Sequence, residues 1–223
     1  MLYVYAISDT RTEPGRPGLH GARVRGFGAE PPFAIASEHR DSLVHPDEPD
    51  LWAHERIIED LMDRSTVLPM RFGSTVPDEA SLLKILGERR GEFERLIDRV
   101  RGRVELSVRA QVIVAEPVPA RSAALADAGG PGTAYLLERR EIQGRADDAL
   151  ARIHEPLAML ARDNARKTGG LRPGAFKGAY LVDRDRVEEF RARVGQLADE
   201  IEGARIVCTG PWPPYSFSAG SPE

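Results

Sequence analysis

The first stretch of the chain, LYVYAIS at residues 2–8, alternates and is crowded with aromatic and β-branched residues, which predicts a strand beginning almost at the first residue. TEPGRPGLHGARVRGFGAEPP follows, dense in Gly and Pro, and reads as a long loop with a short strand around Val24–Phe27. FAIASEH is the next strand. After the polar HPDEPD the period lengthens: Leu51, Ile57, Ile58, Leu61 and Met62 fall on one face of a helix of about four turns. Asp47, Glu48 and Asp50 sit at its positive N-terminal end. VLPMRFGS returns to strand character, and Pro69, with no N–H for a ladder, belongs at an edge or a bulge. Pro77, Asp78 and Glu79 open a helix running to Arg101, with Leu82, Leu86, Phe93, Leu96, Ile97 and Val100 turned to a core. Gly87 and Gly91 weaken it by up to about 1 kcal/mol each.

The second half has its own run of elements. VELSVRAQVIVAE, from Val104, alternates most cleanly of all, and AEPVPARSAALADAGGPG after it reads as a linker or loop. From Tyr135 onward, Ile142, Ala146, Leu150, Ile153, Leu157 and Leu160 recur at helical spacing. Pro156 is expected to kink or divide this helix, and Arg166 and Lys167 before Gly169 and Gly170 supply its C-terminal signal. GAFKGAYLVD is a strand. DRVE from Asp185 has the form of a capping box opening a helix with Val187, Phe190, Val194, Leu197 and Ile201 inward. ARIVCTG is the last strand, and no internal repeat interrupts the series.

This order predicts an α+β fold of two domains, each a small, mainly antiparallel sheet with helices, the C-terminal one ferredoxin-like. The strand at Val104 could finish the first sheet or begin the second. The expected division is an N-terminal domain over residues 1–102, a ferredoxin-like domain over 103–209, and a tail over 210–223 that packs back on the body. That tail contains GPWPPYSF, Gly210–Phe217, whose prolines make it extended and stiff. Burying Trp212, Tyr215 and Phe217 is worth roughly 1.5 to 3 kcal/mol for each ring, so all three are expected out of water. Either the strap closes the protein's own core or it presents aromatics to a partner.

Charge narrows the partners. With a net charge of −4 and both signs interspersed, no global attraction to nucleic acid or an anionic membrane is expected. The first residues lack a signal-peptide pattern and no run reaches the roughly 18 apolar residues of a membrane helix, so a cytoplasmic protein is expected. Cys208 is the single cysteine and packs best as a small apolar group on the last strand. Histidines 20, 39, 45, 54 and 154 show no paired spacing for a metal, and the carboxylates lie mostly beside Arg on solvated helix faces. No catalytic constellation, cofactor or metal site is expected. The glycine clusters lack the strand-before, helix-after context of a phosphate cradle. RGFG at Arg25–Gly28, with LYVYAI, imitates the aromatic strands of an RNA-recognition motif, but AEPP replaces the remaining aromatics and no helix separates the two segments.

GPWPPYSF, taken with LPMRFGS at Leu68–Ser74, KGAYLVD at Lys177–Asp183 and the LYVYAI start, resembles the gas vesicle protein L/F family (GvpL/GvpF), with matched segments over almost the whole chain. The resemblance implies two α+β domains, the second ferredoxin-related, and a non-catalytic accessory protein of gas-filled protein shells. The implied partners are other gas vesicle proteins, including the small hydrophobic major shell protein, and the implied location is the cytoplasm and the gas vesicle. Leu68, Pro69, Arg71, Phe72, Gly73, Trp212, Pro213, Pro214, Tyr215 and Phe217 are the motif positions, serving either the fold or a partner. Arg71 and Phe72, at the end of a proline-broken edge strand, are candidates for strand augmentation. The alternative from another class is a ferredoxin-like module that binds a small regulatory molecule, which a ligand-induced rise in melting temperature would reveal.

Overall fold

The structure, a computed structural model, describes residues 1–40, 47–113, 131–167 and 174–218. It divides into two compact units: Met1–Glu105 together with Pro211–Glu223, and Leu106–Gly210. Both combine helices with a sheet, so the fold is α+β in two domains.

In the first unit, β1 (Leu2–Ser8) is the central strand, and every one of its residues is buried. It pairs antiparallel with β3 (Phe33–Glu38), which pairs in turn with β2 (Val24–Phe27). On its other side it pairs with β4 (Val67–Pro69) through Ala6–Ser8 and with β5 (Thr75–Val76) through Leu2 and Tyr3. Pro69 thus falls on an edge strand, where its missing N–H costs the ladder nothing. Helix α1 (Glu48–Met62) is capped by the Asp47 carboxylate, which accepts from the Asp50 N–H at 2.9 Å. Its buried stripe is Asp50, His54, Ile57, Ile58 and Leu61. Leu51, expected on that stripe, is instead exposed, and His54 occupies the inward position one turn later.

The single helix expected from Glu79 to Arg101 is two. Helix α2 (Glu79–Glu88) stops at Arg89, whose φ of −106° and ψ of 13° leave the helical region, and α3 (Arg90–Val100) starts there. The break falls between Gly87 and Gly91, where the backbone is least committed to helix. Both pieces still bury the expected residues: Leu82 and Leu86, then Phe93, Leu96, Ile97 and Val100.

The second sheet holds β6 (Arg103–Val112), β7 (Asp163–Lys167), β8 (Ala175–Asp183) and β9 (Ala204–Trp212) in the order β7-β8-β6-β9. Helix α4 (Pro131–Leu160) connects β6 to β7, and α5 (Val187–Glu200) connects β8 to β9. A βαββαβ chain with this strand order is the ferredoxin-like arrangement. The strand at Val104 therefore belongs to the second sheet. Its core gathers Leu106, Val108, Leu150, Ile153, Leu157, Tyr180, Phe190 and Leu197, and Cys208 packs against it.

Local details depart from the expected pattern in this unit. Residues through Arg166 and Lys167 do not extend α4: Asp163–Lys167 form β7, registered antiparallel against Leu181–Lys177, and this ladder replaces the helical bonds. Pro156 does not divide α4, which runs on to Leu160. Nor does Asp185 cap α5; the chain enters through a 3-10 turn at Arg184–Arg186 with no side-chain cap. The stretch read as a linker lies outside the described residues up to position 130.

Candidate partner surface at the two motif segments

Both motif segments belong to the first unit, and its buried polar groups explain how they are held. After Pro69 the chain leaves β4 and turns. Met70 N–H donates to Tyr5 O at 2.8 Å, Ser74 N–H donates to Arg71 O at 3.1 Å, and Val4 N–H donates to Ser74 O at 2.9 Å. Gly73 has φ +87°, a conformation in which a Cβ would be strained. Beneath the turn, the Tyr3 hydroxyl accepts from Gly73 N–H at 3.1 Å and donates to His54 Nδ1 at 2.9 Å. His54 Nε2 then donates to Met70 O at 3.1 Å. These partners fix His54 as the neutral Nε2–H tautomer. Burial pushes its pKa down to about 4 and pushes the Tyr3 phenol well above its ordinary range.

Phe72 is half-buried, its ring centroid 5.6 Å from His54 and 6.0 Å from Tyr3, both edge-on. Arg71 is exposed and its guanidinium has no hydrogen-bond or ion-pair partner among the described residues. Leu68 and Pro69 are buried. Arg71 and Phe72 sit in the turn rather than on the edge strand, so β4 does not offer them for strand augmentation.

The C-terminal strap is extended only in part. β9 carries it to Trp212, Pro213 and Pro214 are buried, and a 3-10 turn forms over Tyr215–Phe217. Tyr215 Oη donates to Glu55 Oε1 on α1 at 2.9 Å, and burial raises the pKa of both groups. Ser216 holds the Glu105 carboxylate at two points, its N–H to Oε2 at 2.8 Å and its Oγ to Oε1 at 2.9 Å. Phe217 is fully buried, with the Arg99 guanidinium 5.6 Å from its ring centre. Trp212 departs from the expectation that all three rings leave water: it is 43% exposed. As β9 alternates, Ile206 and Cys208 reach the second core, while none of the described residues beyond them does so.

Phe72 and Tyr215 pack on the same hydrophobic core, so the two motif segments share one foundation. What they leave outside is Arg71 and Trp212, and on α1 the half-exposed Leu51 and Trp52 add further apolar surface. His54, Glu55 and Glu105 were not singled out by sequence. For His54 a signal existed, because it stands one helical turn before Ile57 and Ile58 on the apolar stripe.

Chemistry finds little footing here. Ser37 Oγ contacts His39 Nε2 at 2.8 Å and Tyr5 Oη at 2.9 Å, but Ser37 is wholly buried and its hydroxyl serves the core. Among the described residues no group of three or more His, Cys, Asp or Glu is placed to hold a metal, and no helix is long and apolar enough to cross a membrane. Tyr3, Tyr5 and Phe27 are buried, so the segments that imitate an RNA-binding sheet present no stacking platform.

The fold and this surface define a two-domain α+β protein in which the motif segments close one core and expose a few large side chains. The chain belongs to the GvpL/GvpF family, described as gas vesicle synthesis protein, whose profile matches residues 1–219. It is 30% identical to gas vesicle protein L of Streptomyces sp. (strain CB03234) over 95% of this chain and 85% of that protein. Gas vesicle protein F of the same organism is 29% identical, covering 96% and 98%. Gas vesicle protein F1 of Halobacterium salinarum is 27% identical, covering 97% and 92%. The crystal structure of GvpF from Anabaena sp. PCC7120 superposes with a TM-score of 0.78 at 21% identity, over 99% of this chain and 96% of that one. GvpF from Microcystis aeruginosa gives 0.78 at 17% identity, over 98% of each. These two likenesses establish the shared fold.

Proposed function

We propose that this chain is a non-catalytic gas vesicle accessory protein of the cytoplasm that binds other gas vesicle proteins, the hydrophobic major shell protein among them, while the vesicle forms. The half-exposed Trp212, carried on a strap fixed by Tyr215, Ser216 and Phe217, is the observation behind this reading. A subunit destined to face gas exposes apolar surface before it is assembled, and a binder that covers this surface limits premature aggregation. Tryptophan and arginine dominate binding hot spots, which makes Trp212 and Arg71 the natural contacts. Leu68, Pro69, Gly73, Pro213, Pro214, Tyr215 and Phe217 hold these contacts in place, with Phe72 partly on the surface. The test is a pull-down of the purified chain against the co-expressed proteins of a gas vesicle cluster. Wild type is expected to retain a shell protein, and Trp212→Ala to lose about 90% of that retention at an unchanged melting temperature. A folded wild-type chain that retains no cluster protein overturns the reading.

A further inference from the structure

We propose that the open face of the second sheet is a docking site for an acidic segment of a partner protein. In that unit, Val108 and Val112 on β6, Phe176 and Tyr180 on β8, and Ile206 and Cys208 on β9 point to the core shared with α4 and α5. Strand alternation sends the residues between them to the other side. There Arg109, Gln111, Ala175, Lys177, Arg205 and Val207 line one depression of about 480 Å³.

Its charge is one-sided. Arg109, Lys177 and Arg205 are exposed, and none has a hydrogen-bond or ion-pair partner among the described residues. Elsewhere on the unit Arg162 pairs with Asp183, Arg186 with Glu189, Arg191 with Glu188, and Arg193 with Glu200, while Arg140, Arg145 and Arg152, spread along α4, are exposed without such a partner among the described residues. Among the described residues no Asp or Glu lines the depression. Three unneutralised cations gathered in a chain of net charge −4 select an anionic occupant.

The rest of the surface narrows the choice to protein. Val207 on β9 is 56% exposed, Ala175 lines the same depression from β8 across β6, and the Arg and Lys stems add apolar surface for small side chains. The two arginines suit carboxylates, which their planar heads bind in a bidentate manner. Single-stranded nucleic acid needs exposed aromatic rings to stack on, and Phe176 and Tyr180 are buried. A second copy seated face to face would set these cations against their own kind.

The experiment titrates the full chain with a fluorescent peptide of Glu-Glu-Leu repeats, with a Lys-Lys-Leu peptide, an oligothymidylate and phosphatidylglycerol vesicles in parallel. The acidic peptide is expected to bind saturably, to shift the amide resonances of Arg109, Lys177, Arg205 and Val207, and to weaken with added salt. The combined variant Arg109→Glu, Lys177→Glu and Arg205→Glu should lower its affinity about tenfold or more, and the Gln versions should lower it less. Equal binding by the charge-reversed chain, no binding by wild type, or tighter binding of the oligonucleotide or vesicles through these residues would overturn the proposal.

Discussion

Among the described residues each unit contains one buried tyrosine bonded to a histidine, and the two pairs have different duties. In the first unit, Tyr3 and His54 are both sealed from water, and each makes a second bond, to Gly73 N–H and to Met70 O. In the second, Tyr180 bonds His154 Nδ1 at 2.7 Å, but His154 is half-buried and its other ring nitrogen has no partner among the described residues. One pair carries a turn; the other satisfies a tyrosine. The cost of disturbing a buried polar pair grows with the number of groups left unpaired, so equal chemistry should give unequal losses.

Acid offers the largest test of this difference. His54 has a pKa of about 4 in the fold against 6.5 when free, so the folded state binds fewer protons between these values. Its contribution is complete above pH about 6.5 and is lost as pH falls to about 4, amounting to about 3 kcal/mol. His54→Gln should flatten urea-monitored stability over that window. Burial lowers the pKa of His154 as well, with the same sign, but substituting it should alter the slope far less because that ring reaches water. Tyr3→Phe comes next, stranding Gly73 N–H and His54 Nδ1 at about 2 kcal/mol, with faster amide exchange at Gly73. Tyr215→Phe leaves the Glu55 carboxylate half-buried without its donor, and a loss of about 1 to 2 kcal/mol is expected by denaturation. Tyr180→Phe should be the mildest, about 1 kcal/mol, and a loss equal to that of Tyr3→Phe would dissolve the contrast between the pairs.

Periodicity makes most elements readable in the sequence itself. Strands such as LYVYAIS and FAIASEH, and the stripe of Ile57, Ile58 and Leu61, announce themselves because burial imposes a period of two or nearly four. Asp163–Lys167 did not, since DNARK has no apolar alternation and owes its strand to pairing with β8. The same reason hides the break at Arg89, where two weak helix residues leave the decision to tertiary packing. At the candidate surface the motif residues were legible as a set, but their division into inside and outside was not. Trp212 and Phe217 are both large aromatics of one short strap, and only the folded chain separates an exposed ring from a buried one. Glu105 was hidden for a plainer reason: its partner Ser216 lies 111 positions away, a distance that no local pattern spans.

That separation carries a consequence for synthesis. The first unit takes residues from both sides of the second in sequence, so the second is an insertion in its chain. A ribosome delivers the strap after that unit, and until it emerges the site of Phe217 stands open and Glu105 lacks its Ser216 clasp. The inserted unit, contiguous in sequence, has all its strands available earlier. The first unit, begun before the second, is thus completed only after it, and translation itself sets the moment at which the surface carrying Trp212 comes into being.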